Sequence, residues 1–131
     1  MTKKVVNVAV GVIEKQAQYF VCKRSDEQHQ GGLWEFPGGK VEDNESVEQA
    51  LSRELAEEIG IQVERSEHLI TIEHDYGDKQ VCLVVHVVKA FSGEATGLEG
   101  QPSQWVNFEQ LKALDFPSAN VAIIDALATS K

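Results

Sequence analysis

The 131-residue chain has 42% apolar residues and a formal charge of −9, so it carries enough core-forming side chains to exclude a disordered polypeptide. The negative balance argues against a protein that grips a nucleic-acid backbone by releasing counterions. It does not exclude a binder of a phosphorylated small molecule, because bound divalent cations invert the local charge. Two cysteines, Cys22 and Cys82, lie in apolar or β-branched runs, which predicts buried free thiols in a reducing compartment.

Lys3 and Lys4 precede an apolar run from Val5 to Ile13 that Asn7 interrupts and Glu14 ends. With no small-residue cleavage site behind it, the run reads as a β-branched strand rather than a signal peptide. A polar turn, Lys15 to Gln18, leads to a second strand, Tyr19 to Lys23. Asp26 to Gly32 is a polar loop, and Leu33 to Phe36 is short and extended before Pro37-Gly38-Gly39. Ser46 to Ile59 is the clearest helix. Leu69 to His74 and Gln80 to Phe91 are β-rich around a turn at Tyr76 to Lys79, and Ser92 to Pro102 is a loop containing Gly93, Gly97 and Gly100. Gln104 to Phe108 reads as a strand and Glu109 to Leu114 as a helical turn. Ser118 to Thr129 reads as a helix with Val121, Ile124 and Ala128 on one side. This pattern predicts one mixed α/β domain spanning 1–131, with no segment long enough to span a bilayer, and a cytoplasmic location.

The Ser46 to Ile59 helix carries an anomaly. Ser46 and Gln49 fit a capping box, and Gly60 fits a left-handed C-terminal cap. At 100° per residue, Val47, Ala50, Leu51, Leu55 and Ile59 share the sector that should face the core. Glu54 and Glu58 fall within that sector and Glu57 at its margin, while Gln49, Ser52 and Ala56 point away. Two like charges about 4 Å apart cost roughly 4 kcal/mol at an effective dielectric near 20. The C-terminal half of a helix disfavours anions by a further ~0.3–1 kcal/mol each. A solvated charged face would not place acids among apolar residues. A hard divalent cation such as Mg²⁺ or Mn²⁺ would resolve the conflict, and magnesium favours phosphate oxygens among its remaining ligands. Arg53 either fixes the orientation of Glu54 or makes an ordinary surface ion pair. In Phe36-Pro37-Gly38-Gly39-Lys40, the paired glycines allow a sharp turn and close approach to a ligand. Lys40 is either a phosphate contact or a surface lysine.

From Gly39 to Ile61 the chain matches GX5EX7REUXEEXGU, where U is a bulky apolar residue: Gly39, Glu45, Arg53, Glu54, Leu55, Glu57, Glu58, Gly60 and Ile61 fill every fixed position. In this the chain resembles the Nudix hydrolases, which cleave nucleoside diphosphates linked to another group. The resemblance implies the Nudix fold, an α/β (α+β) architecture with a mixed sheet between helices. It also implies a metal set of Gly38 (through its carbonyl), Glu54, Glu57, Glu58 and Glu99. Glu54 or Glu99, with Lys40, would deprotonate or orient the attacking water; Arg53 completes the implied catalytic group.

Leu33 to Glu42, Glu99-Gly100-Gln101-Pro102 with Trp105, and Asp115 to Asn120 are similar to the MutT-like branch of that family, which hydrolyses oxidised guanine nucleotides, chiefly 8-oxo-dGTP. This likeness implies that Asn120 reads the purine and that Arg24, Phe36 and Asp78 contact the nucleotide. Ordinary guanine presents O6 and N7 as two acceptors, whereas the 8-oxo form carries hydrogen on N7. One carboxamide can donate to O6 and accept from N7–H, and a site built on such a pair discriminates by roughly 10⁴. Tyr76 stands where the branch carries phenylalanine and Lys79 where it carries arginine.

Three readings compete at this level: a sanitising enzyme for oxidised guanine nucleotides, acting as a monomer on a small molecule; a relative acting on a cytidine nucleotide or ADP-ribose; and a noncatalytic reader of oxidised guanine. The third is disfavoured by the intact Arg53-Glu54 and Glu57-Glu58 pairs.

Overall fold

The computed structural model describes residues 4–24 and 32–129. Among these described residues, seven strands and three helices follow one another as β1 (Lys4–Lys15), β2 (Gln18–Lys23), β3 (Trp34–Glu35), β4 (Gly38–Lys40), α1 (Val47–Ile59), β5 (Gln62–Asp75), β6 (Lys79–Ser92), β7 (Ser103–Val106), α2 (Phe108–Ala113) and α3 (Ser118–Thr129). The sheet is mixed, in the order β3-β2-β1-β6-β5, with β4 on β1 and β7 on β2. At its centre β1 and β6 run parallel, from Lys4 opposite Lys79 to Ile13 opposite Val88.

Strand alternation sends side chains to opposite faces. Ala9, Ile13, Phe20, Cys22 and Val88 meet Ala50, Leu51, Leu55 and Ile59 of α1. Val10, Val12, Tyr19, Val21, Val85 and Val87 meet Leu111 of α2 and Ile123, Ile124 and Leu127 of α3. The sheet therefore lies between α1 on one face and α2 with α3 on the other, as expected. Gly11 leaves room for the helix: a Cβ there would stand 3.0 Å from Leu55 Cδ1.

Several expectations are refined. β5 begins at Gln62, not Leu69. Its polar first half offers no apolar run and forms by pairing with β6, across bulges near Arg65 and between His68 and Ile70. Gly38-Gly39-Lys40 is not only a turn but a short strand on β1. β7 stops at Val106, because Asn107 caps α2 with a reciprocal bond to Gln110. Val121 is 50% exposed, and α3 buries Ile123, Ile124 and Leu127 instead of the face containing Val121 and Ala128. Cys22 is buried but Cys82 only half-buried, and both are free thiols. Of the loop expected from Asp26 to Gly32, only Gly32 lies within the described residues.

Leu55 is fully buried between α1 and β1. Leu55→Ala is expected to cost about 2–4 kcal/mol of unfolding free energy, measured by urea denaturation; a loss below about 1 kcal/mol would mean that the α1 face of the core is loosely packed.

Candidate active site

α1 starts and stops as its sequence requires. Ser46 accepts from the Gln49 N–H at 3.1 Å, Gln49 Oε1 accepts from the Ser46 N–H at 2.8 Å, and Gly60 closes the helix at φ 75°. Between these caps, Arg53 organises the acidic face. Its Nε donates to Glu45 Oε2 at 2.7 Å and Nη2 to Glu45 Oε1 at 3.0 Å, a two-pronged carboxylate pair. Nη1 donates to Glu54 Oε1 at 2.8 Å, and Nη2 also reaches the Lys40 carbonyl at 3.1 Å. The Arg53 bonds hold the Glu45 carboxyl far below the usual range, at about 2, assisted by a bond from the Glu42 backbone. Arg53 is thus a positioning residue, tying α1 to β4 and to the segment that precedes the helix.

The paired glycines bring backbone against these acids. A Cβ on Gly39 would collide with the Glu54 carboxylate, and one on Gly38 with the Ala9 carbonyl of the neighbouring strand. With no Cβ in the way, β4 passes directly beside Glu54. Gly38 also donates its N–H toward Glu58 Oε2 at 3.4 Å.

Gly38, Glu54, Glu58 and Glu99 line one cleft of about 540 Å³, together with Lys23, Arg24, Glu35, Gly100, Gln101 and Pro102. Burial pushes the Glu58 carboxyl up to about 8, and the charges of Glu35, Glu99 and Glu54 push the same way against the Gly38 N–H. Glu35 is also raised, by burial, although Arg24 opposes the shift through an ion pair at 2.5 Å. Among the described residues no three His, Cys, Asp or Glu side chains close into a ready-made metal cage. The carboxylates instead share the wall of an open cleft. These grouped carboxylate oxygens fit a divalent cation that keeps water and substrate oxygens in its shell.

Of the expected metal set, Gly38, Glu54, Glu58 and Glu99 are brought together. Glu57 is not on the cleft wall; its side chain is 62% exposed and lies 3.7 Å from Arg53. Lys40 belongs to a second cavity of about 350 Å³, which it lines with Val8, Val10, Tyr76, Val81, Leu83, Pro117 and Asn120. Arg24, Glu35 and Gly38 form walls common to both cavities, and Phe36 and Gly39 also face the second. Phe36 is a core residue as well, stacked on Phe116 with ring centroids 5.3 Å apart. Asn120 sits in the first turn of α3, its N–H donating to the Pro117 carbonyl at 2.9 Å. Among the described residues its carboxamide has no hydrogen-bond partner. Asp78 is exposed in the β5–β6 turn and lines neither cavity, whereas its neighbour Tyr76 does.

Sequence reasoning did not single out Glu35 or Gln101. Glu35 lies inside the Leu33 to Glu42 segment, but a lone acid in a two-residue strand carries no local signal. Gln101 acts through a contact invisible in sequence: its Oε1 accepts from the Glu99 N–H at 3.0 Å.

Residues 8–126 match the model of the NUDIX domain, and the chain belongs to that family. It is 38% identical over 95% of its length, and 97% of the relative's, to an 8-oxo-dGTP diphosphatase of Escherichia coli (strain K12). It is 46% identical to an 8-oxo-dGTP diphosphatase of Proteus vulgaris, over 76% of this chain and 90% of that one. A CTP pyrophosphohydrolase of Escherichia coli (strain K12) is 32% identical over 94% of this chain and 91% of its own. A solved MutT structure, from work on the Aliivibrio salmonicida and Vibrio cholerae proteins, superposes with a TM-score of 0.86 at 38% identity, covering 96% of this chain and 99% of that one.

Because the Glu58 carboxyl is raised in the folded state, the unfolded chain loses its proton first as pH rises. Folded stability then declines from about pH 4.5 to about 8. Glu58→Gln, which mimics the neutral form, is expected to raise the Tm of metal-free protein by a few degrees at pH 8 and not at pH 4. An equal effect at both pH values would show that Glu58 is not held neutral.

Proposed function

We propose that the chain is a Mg²⁺-dependent pyrophosphohydrolase that converts 8-oxo-dGTP, and more weakly dGTP, to the monophosphate and pyrophosphate. Such an activity keeps oxidised guanine out of newly made DNA. The observation that carries this reading is the junction of two cavities, one acidic and one ending at Asn120, across the shared walls Arg24, Glu35 and Gly38. A triphosphate in the first leaves its base in the second. The names of the relatives at 38% and 46% identity support the same substrate.

Gly38, Glu54, Glu58 and Glu99 would hold the cation, with Glu57 joining from the same helix; Mn²⁺ suits the same oxygens. When bound there, the cation would supply charge neutralisation for the triphosphate and its leaving group. Glu54, locked by Arg53, and Glu99, on the loop lining the same cleft, are the two carboxylates able to take or orient the proton of the attacking water. Attack falls on the β-phosphorus, as in MutT-like enzymes. Lys40 reaches the nucleotide from the base side rather than from among the acids. Asn120 donates to O6 and accepts from N7–H, while Arg24 and Phe36 bound the base; Asp78 takes part only from the adjoining turn. The enzyme works as a monomeric single domain on a free nucleotide. Its free cysteines suit the cytoplasm, and no helix of the described residues is long and apolar enough to cross a membrane. Preference for a cytidine triphosphate is the second reading, favoured by the relative at 32% identity.

Side-by-side hydrolysis of 8-oxo-dGTP, dGTP and CTP with magnesium, with products identified, separates the two. Asn120→Ala is expected to erode the 8-oxo-dGTP preference by at least about tenfold in kcat/KM. An unchanged ratio would remove Asn120 as the reader. Glu54→Gln should lower kcat by roughly 10²-fold or more while circular dichroism stays native; near-normal turnover at saturating magnesium would refute its role.

A further inference from the structure

Glu99 rides on the loop between β6 and β7, and an exposed loop gives a carboxylate no fixed position by itself. Two backbone bonds tie this one to the end of α1. Thr96 N–H donates to the Ile59 carbonyl at 3.0 Å and Leu98 N–H to the Glu58 carbonyl at 3.1 Å. Both acceptors belong to the last turn of the helix, where carbonyls lack an intrahelical donor. On the other side of Glu99, Gly100 N–H closes a turn on the Gly97 carbonyl at 3.2 Å.

Leu98 is the unexplained residue of the loop. It is 56% exposed, next to a functional carboxylate. Its branched end nonetheless covers Gly60, where a Cβ would stand 3.2 Å from Leu98 Cδ1. The loop also approaches from its other end: a Cβ on Gly93 would come within 2.8 Å of the Gly60 carbonyl oxygen. Gly60 thus has two requirements, a left-handed φ of 75° and a bare surface for the loop to rest on.

We propose that Leu98 is a positioning residue, its side chain seated on Gly60 so that the loop holds Glu99 in register with Glu58 and Glu54. The coupling path is short. Glu58 carries both a cleft carboxylate and the carbonyl that accepts from Leu98, and Leu98 is bonded directly to Glu99. Two backbone hydrogen bonds roughly balance the entropy of ordering the residues that make them. The leucine contact tips that balance toward the ordered loop. The proposal rests on the assignment of Glu99 to the cation-holding set.

The test is Mn²⁺ binding to substrate-free, full-length protein, followed by electron paramagnetic resonance, for Leu98→Ala, Leu98→Met, Glu99→Gln and the Leu98→Ala/Glu99→Gln double variant. Leu98→Ala should weaken Mn²⁺ binding about tenfold, the scale seen when a support of a metal ligand is removed. Leu98→Met should restore it, the Tm should not move, and the double variant should bind no more weakly than Glu99→Gln alone. Wild-type affinity in Leu98→Ala would overturn the proposal. So would losses that add in the double variant, or a fall in Tm with no rescue by methionine. If Glu99→Gln binds Mn²⁺ normally, the assignment of Glu99 itself fails, and this proposal with it.

Discussion

The Arg53 guanidinium holds together parts of the chain that would otherwise repel or drift apart. It bonds Glu45 before the helix, Glu54 on the helix and the Lys40 carbonyl at the end of β4. Exposed ion pairs taken singly contribute little. Here one planar cation with several fixed donors serves three partners at once, which sets geometry more than stability. Because Glu54 is held, the neighbouring strand needs glycine at position 39, and because that strand lies so close, Gly38 can meet Glu58. The acidic cleft is the outcome of this chain of constraints.

The cleft and the second cavity differ in chemical character. The first collects negative charge and holds one carboxyl, Glu58, well above its usual range. The second gathers Val8, Val10, Val81, Leu83 and Phe36 on its wall, with Lys40 and Asn120 among its polar groups. Arg24 and Glu35, ion-paired to each other, stand between them. A nucleotide offers the same division, with charge at one end and a flat, edge-reading base at the other.

The sequence made the α1 site legible because the anomaly was local. Carboxylates at positions 54, 57 and 58 conflict with the apolar face that Leu51, Leu55 and Ile59 define, and helical spacing alone exposes the conflict. The capping residues were equally local. What sequence could not supply was anything decided across strands. The polar half of β5 becomes a strand only because β6 offers it partners. α3 carries four consecutive apolar residues, Val121 to Ile124, so periodicity could not choose between Val121 and Ile123. Likewise, the separation of Glu57 and Lys40 from the cleft follows from where β4 and α1 meet, and the value of Glu35 from a neighbour eleven positions away, Arg24.

The parallel pairing of β1 with β6 has a consequence for the order of assembly. Val8 lies opposite Leu83 and Ile13 opposite Val88, so the middle of the sheet cannot close until most of the chain exists. α1 is made well before that, and the surface on which it docks is still incomplete when it leaves the ribosome. Closing so long a loop before its contacts are formed slows folding. Through that interval the apolar residues of α1 have Ala9, Ile13, Phe20 and Cys22 for partners but not Val88, and charged residues flanking an apolar stretch left partly uncovered disfavour aggregation.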